Sequence, residues 1–171
     1  MKSSLSFLAL VLVPTLFMLA GSAPARAADA FSDVDKAFVA KVSQGGMYEV
    51  ALGTYAETAG QTQDVRDSGN TESHDHQLVG AKLKSIMEAN GMSFPSDLNA
   101  EFQARLEKIK SLPPEQFDAA YLADMKKIHD ADGAAFAKEA KHGSNVDLKA
   151  FAAETYRIVQ RHLGEINASV K

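Results

Sequence analysis

Glu49, His76, His129 and His162 stand one on each of the four longest amphipathic stretches of the chain, each on the apolar seam near mid-length. Imidazoles and carboxylates are the side chains that hold zinc, copper or non-haem iron, and the core of a helical bundle is a place where such sites are built. The third stretch carries the signal most clearly. Over residues 117–136 apolar side chains recur every three or four positions, and the heptad seam runs Asp118, Leu122, Met125, His129, Asp132, Phe136. A histidine and an aspartate thus occupy positions where a bundle ordinarily places leucine. Five further residues could serve as alternative ligands or as partners of the rings: Glu72, nearly level with Glu49; Asp132 and Glu165, three residues beyond His129 and His162; and Asp118 and Tyr121.

The elements that must position these groups are helices. The spacing predicts long helices over about 32–59, 62–90, 114–142 and 145–170, with a short one over about 97–110. Ser32 can cap the first, whose seam is Phe38, Val42, Gly45, Glu49, Leu52 and Ala56, and Gly60 ends it. Gly45 and Gly46 beside Glu49 imply a close helix approach or a local bulge. The second has the seam Val65, Gly69, Glu72, His76, Val79, Leu83, Ile86 and ends at Gly91. Residues 67–71 are poor helix material and a candidate break in it. The third helix starts at Pro113-Pro114 and ends at Lys141-His142-Gly143. Ser144 is expected to cap the fourth, with the seam Leu148, Phe151, Thr155, Ile158, His162, Glu165.

The connection over residues 92–114 is long for a bundle. It would let the third helix run parallel to the second, giving an all-α, ferritin-like four-helix bundle with a short helix in its crossover. At 1.5 Å per residue, Glu49, His76, His129 and His162 then all fall in the middle third, spread over roughly 10 Å.

The rest of the composition narrows the class. Lys2, an apolar run over 5–20 and Ala25-Arg26-Ala27 read as a secretory signal peptide over 1–27, cleaved after Ala27. A single domain over 28–171 remains, expected in the periplasm or secreted, with no membrane-spanning segment after cleavage. There is no cysteine, so no disulfide, thiolate ligand or cysteine nucleophile exists. Without Lys2 and Arg26 the chain has 16 Lys+Arg against 22 Asp+Glu, which argues against nucleic acid as a partner. Met47, Met87, Met92 and Met125 read as packing, His74 and His142 as exposed, and 64–67 and 138–141 as solvated faces.

Glu49-Val-Ala-Leu-Gly53, Asp75-His76, Phe117-Asp118-x-x-Tyr121-x-x-x-Met125-x-x-x-His129 and His162-Leu163 together resemble domain-of-unknown-function family 4142. The resemblance covers the chain beyond the leader. It implies an exported bacterial protein of the ferritin-like superfamily, often labelled a predicted outer-membrane protein, and no activity. Similar proteins carry Phe-Ala and Met-Val where this chain has Ser68-Gly69 and Glu72-Ser73, which puts an extra polar group in the second helix.

Two classes of function fit. One is a metal-binding bundle holding zinc, copper or iron; the other is a metal-free structural or stress-related bundle whose buried Glu, His and Asp only fix helix packing. A ferroxidase is disfavoured, because the chain lacks the paired Glu-x-x-His of di-iron bundles. No nucleophile–base pair or phosphate-binding loop argues for an enzyme.

Overall fold

A computed structural model describes residues 31–169, so the leader, its cleavage point and the last two residues lie outside the described part. The chain is an all-α bundle of α1 (Asp33–Ala59), α2 (Gln63–Ala89), α3 (Ala100–Lys110), α4 (Pro114–His142) and α5 (Val146–Ser169). Among the described residues there is no strand, and no helix is long and apolar enough to cross a membrane.

Each start has a local cause. Ser32 and Asp35 form a capping box at α1, and the Thr62 and Asn99 side chains accept from the third amide of α2 and α3. α4 begins on proline, whose missing N–H is no loss there. α5 is capped by Asn145 rather than by Ser144: its side-chain oxygen accepts from the amides of Asp147 and Leu148 at 3.1 and 3.0 Å.

Contacts at the two ends fix the topology. Asp118, the fifth residue of α4, accepts from the amides of Gln61 and Thr62, both at 2.8 Å, so α4 starts beside the α1–α2 turn. Leu83 and Met87, near the end of α2, pack with Phe38 of α1 and Phe136 of α4 at the opposite end. The 90–113 connection therefore crosses the length of the bundle, and α4 runs parallel to α2. α3 lies on α1 and α4 along the way, anchored by Arg105, which binds Asp124 at 2.9 Å and lies over the Tyr48 ring.

The apolar core falls into two halves. One gathers Leu52, Val65, Phe117, Met125 and Ile166; the other gathers Phe38, Val42, Leu83, Phe136, Phe151 and Val159. Glu49, Glu72, His76, His129 and His162 lie between these halves along their helices, all buried.

The seams depart from the strict heptad reading in one consistent way. On α5, Ile158 is half-buried and Glu165 exposed, while Val159 and Ile166 are buried in their place. Ile86 yields to Met87 on α2, and Asp118 to Phe117 on α4. A straight α-helix drifts by about 20° per heptad, so after two to three heptads, at about 40–60°, the neighbouring residue about 100° away lies as near the centre of the buried face.

The expected break at residues 67–71 is absent, and α2 is continuous. Gly69 instead permits backbone contact: a Cβ there would stand 2.7 Å from the Gly53 carbonyl oxygen, and a Cβ on Gly53 2.9 Å from that of Gly69. Gly45 similarly makes room for the Asp132 carboxylate, with no bulge in α1. Gly69→Val should cost about 2–3 kcal/mol, read as a lower denaturant midpoint at unchanged slope.

Residues 138–141 are not wholly a solvated face, because Glu139 is 1 % exposed. Its side chain folds over Gly143, and neither oxygen has a hydrogen-bond partner among the described residues. Burial, together with the neighbouring Asp35 carboxylate and against Lys149 and Lys138, pushes Glu139 up to about 7. An acid whose pKa is raised by folding loses stability as pH climbs from its unfolded value to its folded one. Glu139→Gln should therefore melt higher than the parent above pH 7, by about 1–3 kcal/mol, and the gain should vanish below about pH 4.5.

Candidate metal centre

Four helix positions bring four donor atoms together. Glu72 and His76, one turn apart on α2, meet His129 of α4 and His162 of α5, with one ligand atom from each within 4.8 Å of all the others. Glu72 Oε2 lies 3.3 Å from His76 Nε2, 3.3 Å from His129 Nε2 and 3.1 Å from His162 Nδ1. His129 Nε2 and His162 Nδ1 are 3.1 Å apart. These four residues could hold a metal ion.

The outer nitrogen of each ring has its own acceptor. His129 Nδ1 donates to the Met125 carbonyl at 2.9 Å, one turn back on the same helix. His76 Nδ1 lies 3.2 Å from Glu49 Oε2, and His162 Nε2 lies 3.0 Å from Asp75 Oδ2. Arg161 pairs with Asp75 and lies 3.2 Å from the same His162 nitrogen. With a proton on each outer nitrogen, all three inner nitrogens carry lone pairs directed at one another and at a carboxylate. Glu72 Oε2 and His76 Nε2 then have no donor among the described residues. A positive centre, metal ion or proton, would satisfy this geometry.

The electrostatics agree. Burial opposes charge on His129, but Glu49 and the bond to Glu72 outweigh it and raise the ring to about 9. His76 is raised on the same balance, burial against Glu49 and Glu72. Burial would lift Glu72, yet the facing rings of His129, His162 and His76, when protonated, hold it well below the usual carboxylate range. Glu49 goes the other way, raised by burial despite His76 and His129.

The sequence-derived candidates thus separate in space. His76, His129 and His162 converge. The carboxylate oxygen grouped with them is that of Glu72 rather than Glu49; Glu49 stands on the outer side, against the far nitrogens of His76 and His129. Asp132 pairs with Lys41 at 2.9 Å, and the Tyr121 hydroxyl faces Ser68 at 3.4 Å. Asp118 is committed to the α1–α2 turn, and Glu165 is exposed, 3.8 Å from Arg161. Asp75, Arg161 and the Met125 carbonyl were missed as supports of the rings. Asp75 and Arg161 flank the seams of facing helices with opposite charge, a readable signal; a backbone carbonyl leaves none.

A model of the family described as Domain of unknown function (DUF4142) matches residues 20–168. No curated protein and no solved structure matches the chain.

In the metal-free protein a proton must stand in for the cation. A histidine raised by folding contributes stability that is complete below its unfolded pKa of about 6.5 and lost as pH rises through its folded value. Chelator-treated protein should therefore lose melting temperature between pH 6.5 and about 9. Glu72→Gln should flatten that slope.

Proposed function

The chain belongs to the DUF4142 family, whose description assigns no function, and we propose that it is an exported, ferritin-like helical bundle that holds a transition metal. The observation that carries this reading is the meeting of Glu72, His76, His129 and His162, with one ligand atom from each within 4.8 Å of the others and with Glu72 Oε2 and His76 Nε2 lacking a hydrogen-bond partner among the described residues. Bonds of 2.0–2.1 Å in a tetrahedral site separate adjacent ligand atoms by about 3.3 Å. Four of the six separations among the ligand atoms, 3.1 to 3.3 Å, are close to that spacing, and all six lie within 4.8 Å. Three imidazoles and a carboxylate fit zinc, copper or iron.

The Met125 carbonyl, Glu49 and Asp75 serve as supports that fix each ring's tautomer and orientation. Four protein donors close the coordination sphere, so the site suits holding an ion, for storage, scavenging or cohesion of the fold. Export is supported by the leader-like residues 1–27. The bundle-crossing connection favours the ferritin-like arrangement.

The alternative, a metal-free bundle of structural or stress-related role, is favoured by the raised His129, since one proton shared with Glu72 would also satisfy the core. Metal analysis and melting separate the two. Untagged protein should carry about one metal per chain, and zinc added to stripped protein should raise its melting temperature with the logarithm of free metal. His129→Ala should lose that increment, and Glu165→Gln should keep it. Glu49→Gln should weaken binding by about 10–100-fold. Affinity should rise with pH toward about 9 as zinc displaces the His129 proton. Melting indifferent to zinc, copper, iron and chelator, in protein free of metal from the start, would refute the metal reading.

A further inference from the structure

Beside the centre, α1 and α2 diverge. At Gly53 and Gly69 their backbones touch, but further along, Gly46 and Gly80 line an open cleft of about 490 Å³ that extends to residues 94–96. A Cβ on Gly80 would meet nothing within 4 Å among the described residues, and one on Gly46 only His76 Nδ1 at 4.0 Å. The remaining wall is largely apolar, with Val42, Leu83, Phe94, Phe136 and Phe151, while Glu49, His76 and Asp132 supply its buried polar groups together with Ser43. That size, with apolar walls and a few convergent polar groups, is the usual form of a small-molecule site.

The polar groups select the chemistry of the occupant. The outer proton of His76 is given to Glu49, and the Ser43 hydroxyl to the Ala40 carbonyl. Asp132 is paired with Lys41, and the second oxygen of Glu49 has no hydrogen-bond donor among the described residues, with His129 Nδ1 3.4 Å away. The buried part of the wall is therefore rich in acceptors, and its donors, Gln77 and Lys84, are exposed at the rim. Lys84 also lines the cleft, but its side chain is 57 % exposed and 3.9 Å from Glu88. A carboxylate guest would meet Glu49 and Asp132 in apolar surroundings, where like charges repel strongly. An ammonium or other donor head would complete Glu49 instead.

We infer that the cleft between α1 and α2 binds a small molecule with an apolar body and an amine head, seated with the head at Glu49 and Asp132. This site adjoins the metal centre without depending on it, because Glu49 faces His76 whether a metal or a proton sits on the far side of the ring.

The test is a nuclear magnetic resonance titration of isotope-labelled mature protein, zinc-loaded and chelator-stripped, with 2-phenylethylamine and with 3-phenylpropionate, of similar size and opposite charge. The amine should give saturable shifts centred on Gly46, Gly80 and Phe94, and the carboxylate should give none there. Gly80→Phe, or the smaller Gly80→Leu, should abolish amine binding while zinc content and melting stay at parental values. Glu49→Gln should weaken the amine by about tenfold or more. Equal binding of the carboxylate, amine binding that survives both folded Gly80 variants, or no saturable shift at millimolar amine would overturn the proposal. A protein that takes no zinc yet binds the amine would sink the metal reading and leave this one standing. The reverse result would do the opposite.

Discussion

Glu72 Oε2 stands within 3.3 Å of three histidine nitrogens in the dry middle of the bundle, and this convergence of acceptors is the constraint that the rest of the structure serves. Removing one member of a buried charged set leaves the others uncompensated, typically at 3–5 kcal/mol. The layer therefore persists only because every member is held in place and a positive centre can sit among them. The two apolar halves of the core do the holding. Each helix that supplies a donor buries apolar side chains on both sides of it: Val65 and Leu83 around the α2 pair, Met125 and Phe136 around His129, Val159 and Ile166 around His162.

Orientation is a separate matter from location, and it is supplied from three sources. Met125 offers a backbone carbonyl from within α4, Glu49 a buried carboxylate from α1, and Asp75 a surface carboxylate neutralised by Arg161. Acceptors on the outer side of each ring favour the tautomers that leave the inner nitrogens free to bind a proton or a metal. Glu49 and Glu72 divide the work by position, one behind a ring and one in front of it. Their opposite pKa directions follow, since Glu72 meets three imidazoles and Glu49 is dominated by desolvation.

Much of this was legible in the sequence. Helix number, the long crossover and the inward histidines all follow from periodicity and glycine or proline punctuation, because burial imposes that pattern directly. The choice between Glu49 and Glu72 was not legible: both lie on a seam at nearly the same height, and a pattern of period 3.6 gives height and face but not which carboxylate sits before a ring. Asp118 and Glu165 were misplaced by applying a 3.5-residue period to helices that drift from it. Glu139 was hidden among lysines at 138 and 141, and its burial depends on Gly143 leaving room for its side chain, a contact that no periodicity encodes.

The glycines of α1 and α2 tie the centre to its surroundings. Contact at Gly53 and Gly69 sets the helix pair close, and Glu72 follows Gly69 by three residues, nearly one turn, so the carboxylate is carried inward on the tightly packed stretch. His76 lies one turn further along, where Gly46 and Gly80 leave the pair apart. The ring is thereby the boundary between two environments, with Nε2 in the closed polar layer and Nδ1 toward Glu49, which lines the cleft. Gly69 and Glu72 stand three residues apart on the stretch of α2 that approaches α1 most closely. They are therefore read better as a matched pair, the glycine admitting the close approach and the glutamate using it, than as defects in the packing of α2.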